Sequence, residues 1–461
     1  MGLNVVIMAA GQGTRMKSTR PKVLHTLGGR HLLQHVLDAV AALGETRTII
    51  VTGHGADEVE RSARAPGLVF VRQQPQLGTG HALQQAAPRL DDDGTTLVLN
   101  GDVPLIESET LRRLVAAAGP KRLALLTVNL DNPHGYGRIV RRPTLHVTDA
   151  IAAIVEEKDA SDGVRAIREV YTGVMAAPTA DLKRWLAALR NDNAAGEFYL
   201  TDVVASAVDE GFDVVCVAAG GETEVLGVNS PAQLAELERR LQRTLAERLM
   251  AAGVRLADPA RFDQRGELRC GSDVEIDVGC IFEGVVEVGD GARIGAYCLV
   301  KNARIGAGAT IRPYTHIDGE ALGASVGAGA IVGPFSRLRG GAVLGADVHV
   351  GNFVEIKNST LGDGAKANHL AYLGDTDVGA RVNYGAGSIT ANYDGANKHR
   401  TTIGADAHIG SNCVLVAPVE IGAGATIGGG STINKDAPAG ELTLARARQA
   451  TVRGWKRPVK R

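Results

Sequence analysis

Aliphatic residues recur at every sixth position in two stretches of the second half of the chain. A period of six belongs to neither an α-helix nor a β-strand. It predicts a hexapeptide parallel β-helix, in which short strands wrap a triangular prism and each hexad places one apolar side chain inside. A small residue follows many of these positions, and we expect it to let the chain turn tightly, often with a positive φ. The predicted inward positions are Val326, Val332, Leu338, Leu344, Val350 and Ile356, and then Ile403, Ile409, Leu415, Ile421, Ile427 and Ile433.

The first half of the chain has a different pattern, in which short apolar runs alternate with amphipathic stretches at helical spacing. Leu3–Met8 is an apolar run that ends in glycine-rich sequence, 31–43 is amphipathic, and Thr96–Leu99 reads as a buried strand. Alternating strands and helices predict a mainly parallel sheet covered on both faces, with ligands at the carboxyl ends of its strands. We therefore predict an α/β Rossmann-like domain.

Ser230 and Pro231 separate the two patterns, because they supply an N-cap and a first-turn proline for a helix that Gly253 can end. We predict an α/β domain at 1–228, a linker helix at 229–253 and a β-helix with a basic tail at 254–461. The segment 390–402 breaks the hexad register, and a polar loop that leaves a solenoid is usually functional or part of an interface.

Composition narrows the possible partners and compartment. The 461 residues are 44% hydrophobic and 22% charged with a net charge of −1, which argues against nucleic-acid binding and membrane insertion. Five cysteines without a C-x-x-C pair predict reduced thiols in a cytoplasmic protein. A local basic cluster lies in the tail: Arg446, Arg448, Arg453, Lys456, Arg457, Lys460 and Arg461.

The loop that follows the first strand is a candidate anion site. Its sequence AAGQGTRM lacks the G-K-[ST] ending of a Walker A loop, and Met16 stands where a dinucleotide fingerprint needs its third glycine. Two glycines still let backbone N–H groups close on an anion, and Arg15 and Lys22 add positive charge. A glycine-rich turn after a strand is equally often only a turn, so the loop alone does not decide.

Two other residues have both a chemical and a structural interpretation. Asp102 follows a buried strand, where its carboxylate can hold a divalent cation against phosphates or cap the next helix. His369 lies in KANHLAY and could act as a general base, although a lone histidine is more often packed or solvated.

The motifs in combination are more specific than any one of them. MAAGQGTRM, PKVLH, LGTGHA, NGDVPL, HGYGR and VEEKDA, in this order, resemble the sugar-1-phosphate nucleotidyltransferases. With a hexapeptide repeat that contains KANHLAYLGD and NYDGANKHRT, the whole chain resembles the bacterial bifunctional N-acetylglucosamine-1-phosphate uridylyltransferase / glucosamine-1-phosphate acetyltransferase family.

This resemblance implies two reactions of UDP-N-acetylglucosamine synthesis, which feeds peptidoglycan and lipopolysaccharide precursors. Acetyl-CoA acetylates glucosamine-1-phosphate, and the product then reacts with UTP and Mg²⁺ to release pyrophosphate. The resemblance also implies left-handed coils and a parallel homotrimer with the acyl-CoA groove between subunits. Periodicity indicates neither the handedness nor the trimer.

The resemblance assigns residues to each site. Arg15 and Lys22 would contact phosphates in catalysis, Gln73 and Gln76 would read uracil, and Asp102 and Asn229 would ligate Mg²⁺. The family usually has Asn where this chain has Tyr171, and a phenol cannot reproduce the paired donor and acceptor of a carboxamide. The remaining nucleotide- and sugar-binding residues would be Met8, Ala9, Ala10, Gly11, Gly13, Gly78, Thr79, Asn100, Gly101, Gly137, Glu156 and Tyr171.

In the β-helix, His369 would be the catalytic base and Glu355 would orient it. The family often has Ala where Gly429 stands, a change that a backbone contact would survive. Glucosamine-1-phosphate would contact Arg339, Lys357, Tyr372 and Asn383, and acetyl-CoA would contact Ala386, Asn392, Tyr393, Ser411, Gly429 and Arg446.

Two rival functions remain. The first is a nucleotidyltransferase for another sugar whose β-helix serves only assembly or regulation, and His369 with the Asn392-Tyr393 loop speaks against it. The second is a non-catalytic scaffold, which would be expected to have lost Arg15, Lys22 or Asp102.

Overall fold

The computed structural model describes residues 2–142 and 149–460. Its contacts divide the chain into two compact units, Met1–Leu241 and Gln242–Arg461. Arg461, the last residue of the predicted basic cluster, lies outside the described residues. Among the helices of the described part, none is long and apolar enough to cross a membrane.

The first unit alternates strands and helices, as its sequence pattern predicts. The helices are α1 (Leu32–Ala41), α2 (Ala56–Ser62), α3 (Thr79–Ala86), α4 (Ser108–Ala117), α5 (Asp162–Arg165), α6 (Thr179–Ala188), α7 (Asp202–Asp209), α8 (Glu222–Val225) and α9 (Pro231–Ala251). The strands are β1 (Gly2–Ala9), β2 (Thr26–Leu27), β3 (Arg30–His31), β4 (Arg47–Thr52), β5 (Val69–Arg72), β6 (Gly94–Asn100), β7 (Arg122–Asn129), β8 (Gly137–Arg142), β9 (Ala150–Val155), β10 (Glu169–Pro178) and β11 (Asp213–Ala218).

The main sheet has the strand order β11-β7-β10-β6-β1-β4-β5, with β8 and β9 attached beside β10. Strands β6, β1, β4 and β5 are parallel, whereas β10 runs antiparallel to both of its neighbours in this order. The central strands β1 and β6 are buried over most of their length, which is why they read as continuous apolar runs. The carboxyl ends of β1 and β6 lead directly into the glycine-rich loop and Asp102, so the predicted α/β fold brings these two segments together.

The second unit consists almost entirely of short parallel strands. They are β12 (Arg255–Leu256), β13 (Phe262–Cys270), β14 (Glu275–Ile276), β15 (Cys280–Val288), β16 (Arg293–Ile294), β17 (Leu299–Ile305), β18 (Thr310–Ile311), β19 (His316–Asp318), β20 (Ala324–Val326), β21 (Ile331–Val332), β22 (Arg337–Leu338), β23 (Val343–Leu344), β24 (His349–Asn352), β25 (Glu355–Lys357), β26 (Thr360–Leu361), β27 (Lys366–His369), β28 (Tyr372–Gly374), β29 (Thr376–Val378), β30 (Asn383–Tyr384), β31 (Ile389–Ala391), β32 (Thr401–Ile403), β33 (His408–Ile409), β34 (Val414–Val416), β35 (Val419–Ile421), β36 (Thr426–Ile427), β37 (Thr432–Ile433) and β38 (Leu442–Thr443).

These strands form three columns, which are the faces of the predicted prism. One column runs from β12 to β38, and the other two extend from β17 through β20 to β35 and through β19 to β37. The register joins positions three hexads apart, as in Leu338 with Ile356 and Leu415 with Ile433. Every predicted inward aliphatic residue is buried, with at most 3% of its surface exposed. The hexapeptide β-helix is therefore confirmed.

Most of the glycines that follow the inward residues do not have the positive φ that we expected, although Gly333 does, with a φ of 103°. A Cβ atom on Gly404 would lie 2.5 Å from the backbone nitrogen of Ala423 in the next coil, and φ at Gly404 is not positive. Positive φ occurs instead at corner residues such as Asp406 and Asn412. Close stacking of successive coils, rather than left-handed backbone, excludes a side chain at Gly404.

Helix α9 is more than a connecting arm. Leu237 is 1% exposed in a cluster with Met16, Leu27, Leu32 and Val228. Further along the helix, the Gln242 side chain donates to the backbone oxygen of Gln264 (2.8 Å) and accepts from its nitrogen (2.7 Å). The first turns of α9 thus belong to the core of the first unit, and Gln242 belongs to the second.

The predicted loop at 390–402 is shorter than its sequence suggests. Thr390 and Thr401 are buried in β31 and β32, and Asn392 is only 8% exposed. The backbones of Tyr393 and Lys398 form an antiparallel bridge across the projecting part. The projection therefore comprises only about 393–400, a segment that we name the projecting loop.

Candidate active sites

A cavity of about 620 Å³ opens at the carboxyl edge of the sheet in the first unit. Two of the predicted residues, Gly13 and Gly101, do not line it but shape its wall: Gly13 has a φ of 61°, and Gly101 donates its N–H to the oxygen of Met8 (2.9 Å). The predicted residues that line the cavity are Met8, Ala9, Ala10, Gly11, Arg15, Lys22, Gln73, Gln76, Gly78, Thr79, Asn100, Asp102, Gly137, Glu156, Tyr171 and Asn229.

The two glutamines predicted to read uracil also hold the loops of the cavity in place. Gln76 donates from Nε2 to the oxygen of Ala10 (2.9 Å) and accepts from Gln12 (3.0 Å). Gln73, 5% exposed, donates from Nε2 to the oxygen of Gly78 (2.9 Å). Each side chain thereby fixes a loop whose backbone faces the cavity. Recognition of uracil by these two residues stays a prediction.

The ammonium group of Lys22 lies between two oxygen atoms. It forms an ion pair with Asp102 Oδ2 and donates to Asn229 Oδ1 (3.0 Å). The side chains of Lys22 and Asp102 are each 16% exposed. The next helix, α4, begins at Ser108 without a side-chain cap, so Asp102 does not have the capping role that its position allowed.

This arrangement fits a divalent cation. The oxygens of Asp102 and Asn229 already converge on one positive charge, and carboxylate and amide oxygens are the hard ligands that Mg²⁺ prefers. Two protein ligands would leave most of the coordination positions of Mg²⁺ open. This suits an ion that keeps several waters and binds substrate phosphates.

The far end of the cavity is acidic. Thr201 donates to Glu156 Oε1 (3.0 Å), and burial, followed by the nearby charges of Asp202 and Asp159, raises the pKa of Glu156. A Cβ atom on Gly137 would lie 2.7 Å from the Ile154 side chain, so close packing requires this glycine. An acceptor beside a bare backbone segment suits the hydroxyl groups of a sugar.

Tyr171 departs from the family pattern, and the structure encloses its hydroxyl. The residue is 6% exposed, and its hydroxyl is buried without a partner among the described residues. Burial, assisted by the charge of Glu156, raises the pKa of this phenol well above its usual range. Tyr171 thus lines the cavity while its hydroxyl is enclosed.

In the second unit, the predicted base begins a row of predicted acetyl-CoA residues. The N–H of Gly387 donates to the oxygen of His369 (3.3 Å), that of Asn412 to Ala386 (2.8 Å) and that of Gly430 to Ser411 (2.8 Å). Arg446 donates to the oxygen of Gly429 (2.8 Å). These bonds stack His369, Ala386, Ser411 and Gly429 on successive coils, with Arg446 at the end of the row.

His369 is exposed, and Asn352 is its partner in this structure. Nδ1 of His369 lies 3.1 Å from Asn352 Oδ1, and the two residues pair in the register of β24 and β27. In a neutral imidazole, an Nδ1–H that donates to this amide oxygen would leave the lone pair on Nε2.

Glu355, which we expected to orient His369, has other contacts. It forms ion pairs with Arg339 (3.2 Å) and Arg337 (3.7 Å), and its register partner is Tyr372. The physical reason is that Glu355 lies beyond a corner of the prism, on a different face from β27.

A second group of predicted residues surrounds a cluster of cations. The side chains of Lys357 and Lys398 are close enough to interact, and this contact, with burial and the charge of Arg339, lowers the pKa of Lys357. A Cβ atom on Gly374 would lie 2.3 Å from the Tyr372 hydroxyl and 2.8 Å from Asn392 Nδ2. Positive charge beside a phenol and an amide is suited to a sugar phosphate.

Lys398 and Asn352 were not among the predicted residues, and the predicted contact of Asn383 with the sugar phosphate stays a prediction. Lys398 belongs to the quoted motif NYDGANKHRT, and Asn352 lies one coil before His369, so coil register could have identified both. Asn383 lies on the other face, where its Nδ2 is 3.3 Å from His408 Nδ1. Tyr393 is exposed in the projecting loop, and its hydroxyl donates to the oxygen of Gly395 (2.6 Å).

Comparisons with known proteins agree with this division. The MobA-like NTP transferase domain family matches residues 5–175, and the bacterial transferase hexapeptide (six repeats) family matches residues 400–435. The relative named Bifunctional protein GlmU from Methylibium petroleiphilum is 69% identical over 463 residues, with 100% of both chains covered. Proteins of the same name are 64% identical in Acidovorax ebreus, with 99% of this chain and 98% of the relative covered, and 58% identical in Azoarcus sp., with 99% and 100% covered.

Proposed function

This chain belongs to the family of bifunctional GlmU proteins, and from that premise we propose that it makes UDP-N-acetylglucosamine by two transfers at two separate sites. The second unit transfers acetyl from acetyl-CoA to glucosamine-1-phosphate. The first unit transfers uridylyl from UTP to the acetylated product and releases pyrophosphate. The single observation that carries the proposal is that each unit gathers its own set of implied residues, one in the 620 Å³ cavity and one along the coils.

In uridylyl transfer, an oxygen of the sugar phosphate attacks the α-phosphorus of UTP. Both reactants are anionic, so the main task of the protein is to neutralise and align them. Arg15 and Lys22 supply positive charge on the wall of the cavity, and the loop at Ala10–Gly13 offers backbone N–H groups. Glu156 accepts hydrogen bonds from the sugar at the far end. No covalent nucleophile is needed.

Asp102 and Asn229 would hold Mg²⁺, with Lys22 turning from their oxygens towards the phosphates. When bound, the ion supplies charge neutralisation at the reacting phosphates. The convergence of these two oxygens on the Lys22 ammonium supports the assignment.

In acetyl transfer, the amine of glucosamine-1-phosphate attacks the thioester carbonyl of acetyl-CoA. The C–N bond forms, the C–S bond breaks, and the amine loses a proton. Nε2 of His369 can accept that proton when Nδ1–H donates to Asn352. Arg339, Lys357 and Lys398 face the sugar phosphate, and the row from Ala386 to Arg446 binds acetyl-CoA.

We further propose a homotrimer in the cytoplasm, with left-handed coils and the acyl-CoA groove shared by neighbouring chains. The projecting loop supports sharing, because Tyr393 is 61% exposed and has no place within its own coil. The domain division is proposed at Leu241 rather than at residue 228, because Leu237 packs in the first core.

The test is product identification by mass after supplying glucosamine-1-phosphate, acetyl-CoA, UTP and Mg²⁺. Asp102→Asn should slow uridylyl transfer by on the order of 10²-fold and spare acetyl transfer, by analogy with other electrostatic catalytic groups. His369→Ala should do the reverse, since a general base contributes roughly 10²–10⁴-fold.

The same experiment distinguishes the proposal from the two rival functions, a nucleotidyltransferase with a regulatory β-helix and a non-catalytic scaffold. A nucleotidyltransferase with a regulatory β-helix would give no acetylated sugar phosphate, and His369→Ala would leave its products unchanged. A scaffold would give neither product. Failure of wild type to form either product refutes the proposed function.

A further inference from the structure

Asp375 is a buried carboxylate at the base of the projecting loop. It is 7% exposed, and its two oxygens accept from different side chains: Oδ1 from Asn358 Nδ2 and Oδ2 from Asn392 Nδ2, each at 2.5 Å. A carboxylate buried to this degree costs several kcal/mol unless hydrogen bonds satisfy it. The two short amide contacts supply such bonds, so removing either donor leaves the charge poorly compensated.

This contact fixes which way the Asn392 amide faces. An ionised carboxylate only accepts hydrogen bonds, so the atom that Asn392 turns towards Asp375 must be its nitrogen. The amide oxygen of Asn392 consequently points away from Asp375 and remains available as an acceptor. With the amide reversed, two oxygens would face each other at 2.5 Å.

Asp375 also joins both ends of the projecting loop. Its side chain holds Asn392 at the start, and its backbone oxygen accepts from the N–H of Thr401 at the end (3.1 Å). Its own N–H donates to the oxygen of Lys357 (3.1 Å), in the strand that bears the cation cluster. One residue thus ties the base of the loop to the strand whose lysine meets Lys398.

We propose that Asp375 is a positioning residue for acetyl transfer: it presents the Asn392 oxygen as a hydrogen-bond acceptor and holds the projecting loop over the cation cluster. This inference rests on the proposed acetyltransferase function. The chemical class that suits a fixed amide acceptor is a ligand with an N–H donor, and the amide groups of acetyl-CoA supply such donors, while the neighbouring cations face the sugar phosphate.

The first test is Asp375→Asn, which keeps size but lets position 375 accept from only one of the two asparagines. We expect kcat/KM for acetyl-CoA to fall about 10- to 100-fold, the range for losing a charge-assisted hydrogen bond, with uridylyl transfer unchanged. Amide exchange should become faster in residues 393–399 and not elsewhere.

The decisive variant exchanges the two groups, Asp375→Asn with Asn392→Asp. Asn at 375 can accept from Asn358 and donate to Asp at 392, whose second oxygen is still an acceptor. The exchange should restore slow amide exchange in the loop and recover at least tenfold of the lost kcat/KM. A purely structural contact would restore the loop but not the transfer.

Asp363→Asn is the matched control. Its Oδ1 accepts from the backbone N–H of Ala346 (2.8 Å), at another corner of the coils, so acetyl transfer should be unchanged. Normal kcat/KM in Asp375→Asn, or a restored loop without restored transfer in the double variant, overturns the proposal. If wild type forms no acetylated sugar phosphate, the proposed function fails instead, and amide exchange still reports whether Asp375 holds the loop.

Discussion

Lys22 stands where a divalent cation would bind, and its charge has the same sign. Its ammonium contacts Asp102 and Asn229 oxygens in a site that is mostly buried. Two cations cannot share these oxygens at full strength, because like charges repel strongly at such distances. With a metal on the proposed ligands Asp102 and Asn229, Lys22 would have to leave their oxygens, and the triphosphate would give it a new partner. Metal and nucleotide binding should therefore be coupled.

Lys22→Met removes this competition. We expect Mn²⁺, used as a paramagnetic substitute for Mg²⁺, to bind the nucleotide-free variant about tenfold more tightly than wild type, a difference of roughly 1.4 kcal/mol. Titration followed by electron paramagnetic resonance of free Mn²⁺ measures this directly. Lys17→Met, which changes an exposed neighbour, should have no effect. Equal or weaker binding in Lys22→Met would show that the lysine does not compete.

Because the Tyr171 hydroxyl is enclosed, its removal should change the stability of the first unit without changing substrate binding. A buried polar group without a partner costs about 1–3 kcal/mol, so Tyr171→Phe should raise the free energy of unfolding of the first unit by about 1 kcal/mol. The KM for the sugar phosphate should not change, because the hydroxyl does not reach the cavity. Calorimetry and steady-state kinetics measure the two quantities.

Tyr384→Phe is the matched control, since its hydroxyl is also buried without a partner among the described residues. It lies in the second unit, so it should stabilise that unit and leave uridylyl transfer unchanged. A rise in KM for Tyr171→Phe would contradict the enclosed conformation and return the hydroxyl to the sugar site.

At the scale of elements, α9 decides where the first unit can be cut. The sequence pattern predicts that the helix begins near Pro231. It does not predict which residues the helix packs against, because an amphipathic stripe does not specify what covers it. Leu237 belongs to the same buried cluster as Met16, which is adjacent to Arg15 in the glycine-rich loop. Part of the helix therefore supports the first site.

A fragment that ends at residue 230 should consequently be less stable than one that ends at residue 251. Burying a leucine contributes roughly 1.5–3 kcal/mol, and both Leu237 and its neighbours Leu234 and Leu241 would be lost. We expect the longer fragment to retain uridylyl transfer and the shorter one to melt at a lower temperature with reduced activity. Equal melting temperatures would contradict this role of α9.

The β-helix shows which structural features the hexad period predicts and which it does not. Hexads identify the inward side chains because that position repeats regardless of what surrounds it, and all twelve predicted positions are buried. Contacts between outward side chains depend on coil length and on where corners fall, which the period does not specify. That is why Asn352, and not Glu355, lies beside His369.

The nucleotide site was more predictable for a physical reason. Parallel strands deliver their carboxyl ends to one edge of the sheet, so the loop after β1 and Asp102 after β6 meet whatever the details of packing. The hydrogen bonds of Gln73 to Gly78 and of Gln76 to Ala10, and the burial of the Tyr171 hydroxyl, depend on local side-chain geometry that strand order does not determine.

For the whole molecule, the two proposed sites differ in their need for a neighbour. In the part of the chain that the structure describes, the residues that line the cavity extend no further than Gln233, so uridylyl transfer should be complete within one chain. In the second unit, the row from His369 to Gly429 and the group around Lys357 lie on different faces of the coils. A groove between two chains would bring the row from His369 to Gly429 of one chain against the group around Lys357 of its neighbour.

Mixing two inactive variants tests this arrangement. One is His369→Ala, and the other combines Tyr393→Ala with Lys398→Ala, because a deletion from residue 391 would remove β31 and the buried Asn392. If base and loop come from different chains, about a quarter of the sites in randomly mixed trimers should combine two intact halves and recover activity. Coexpression with two different tags ensures mixed assemblies, and uridylyl transfer serves as the internal control. Mixed trimers without any acetyl transfer would place base and loop in one chain.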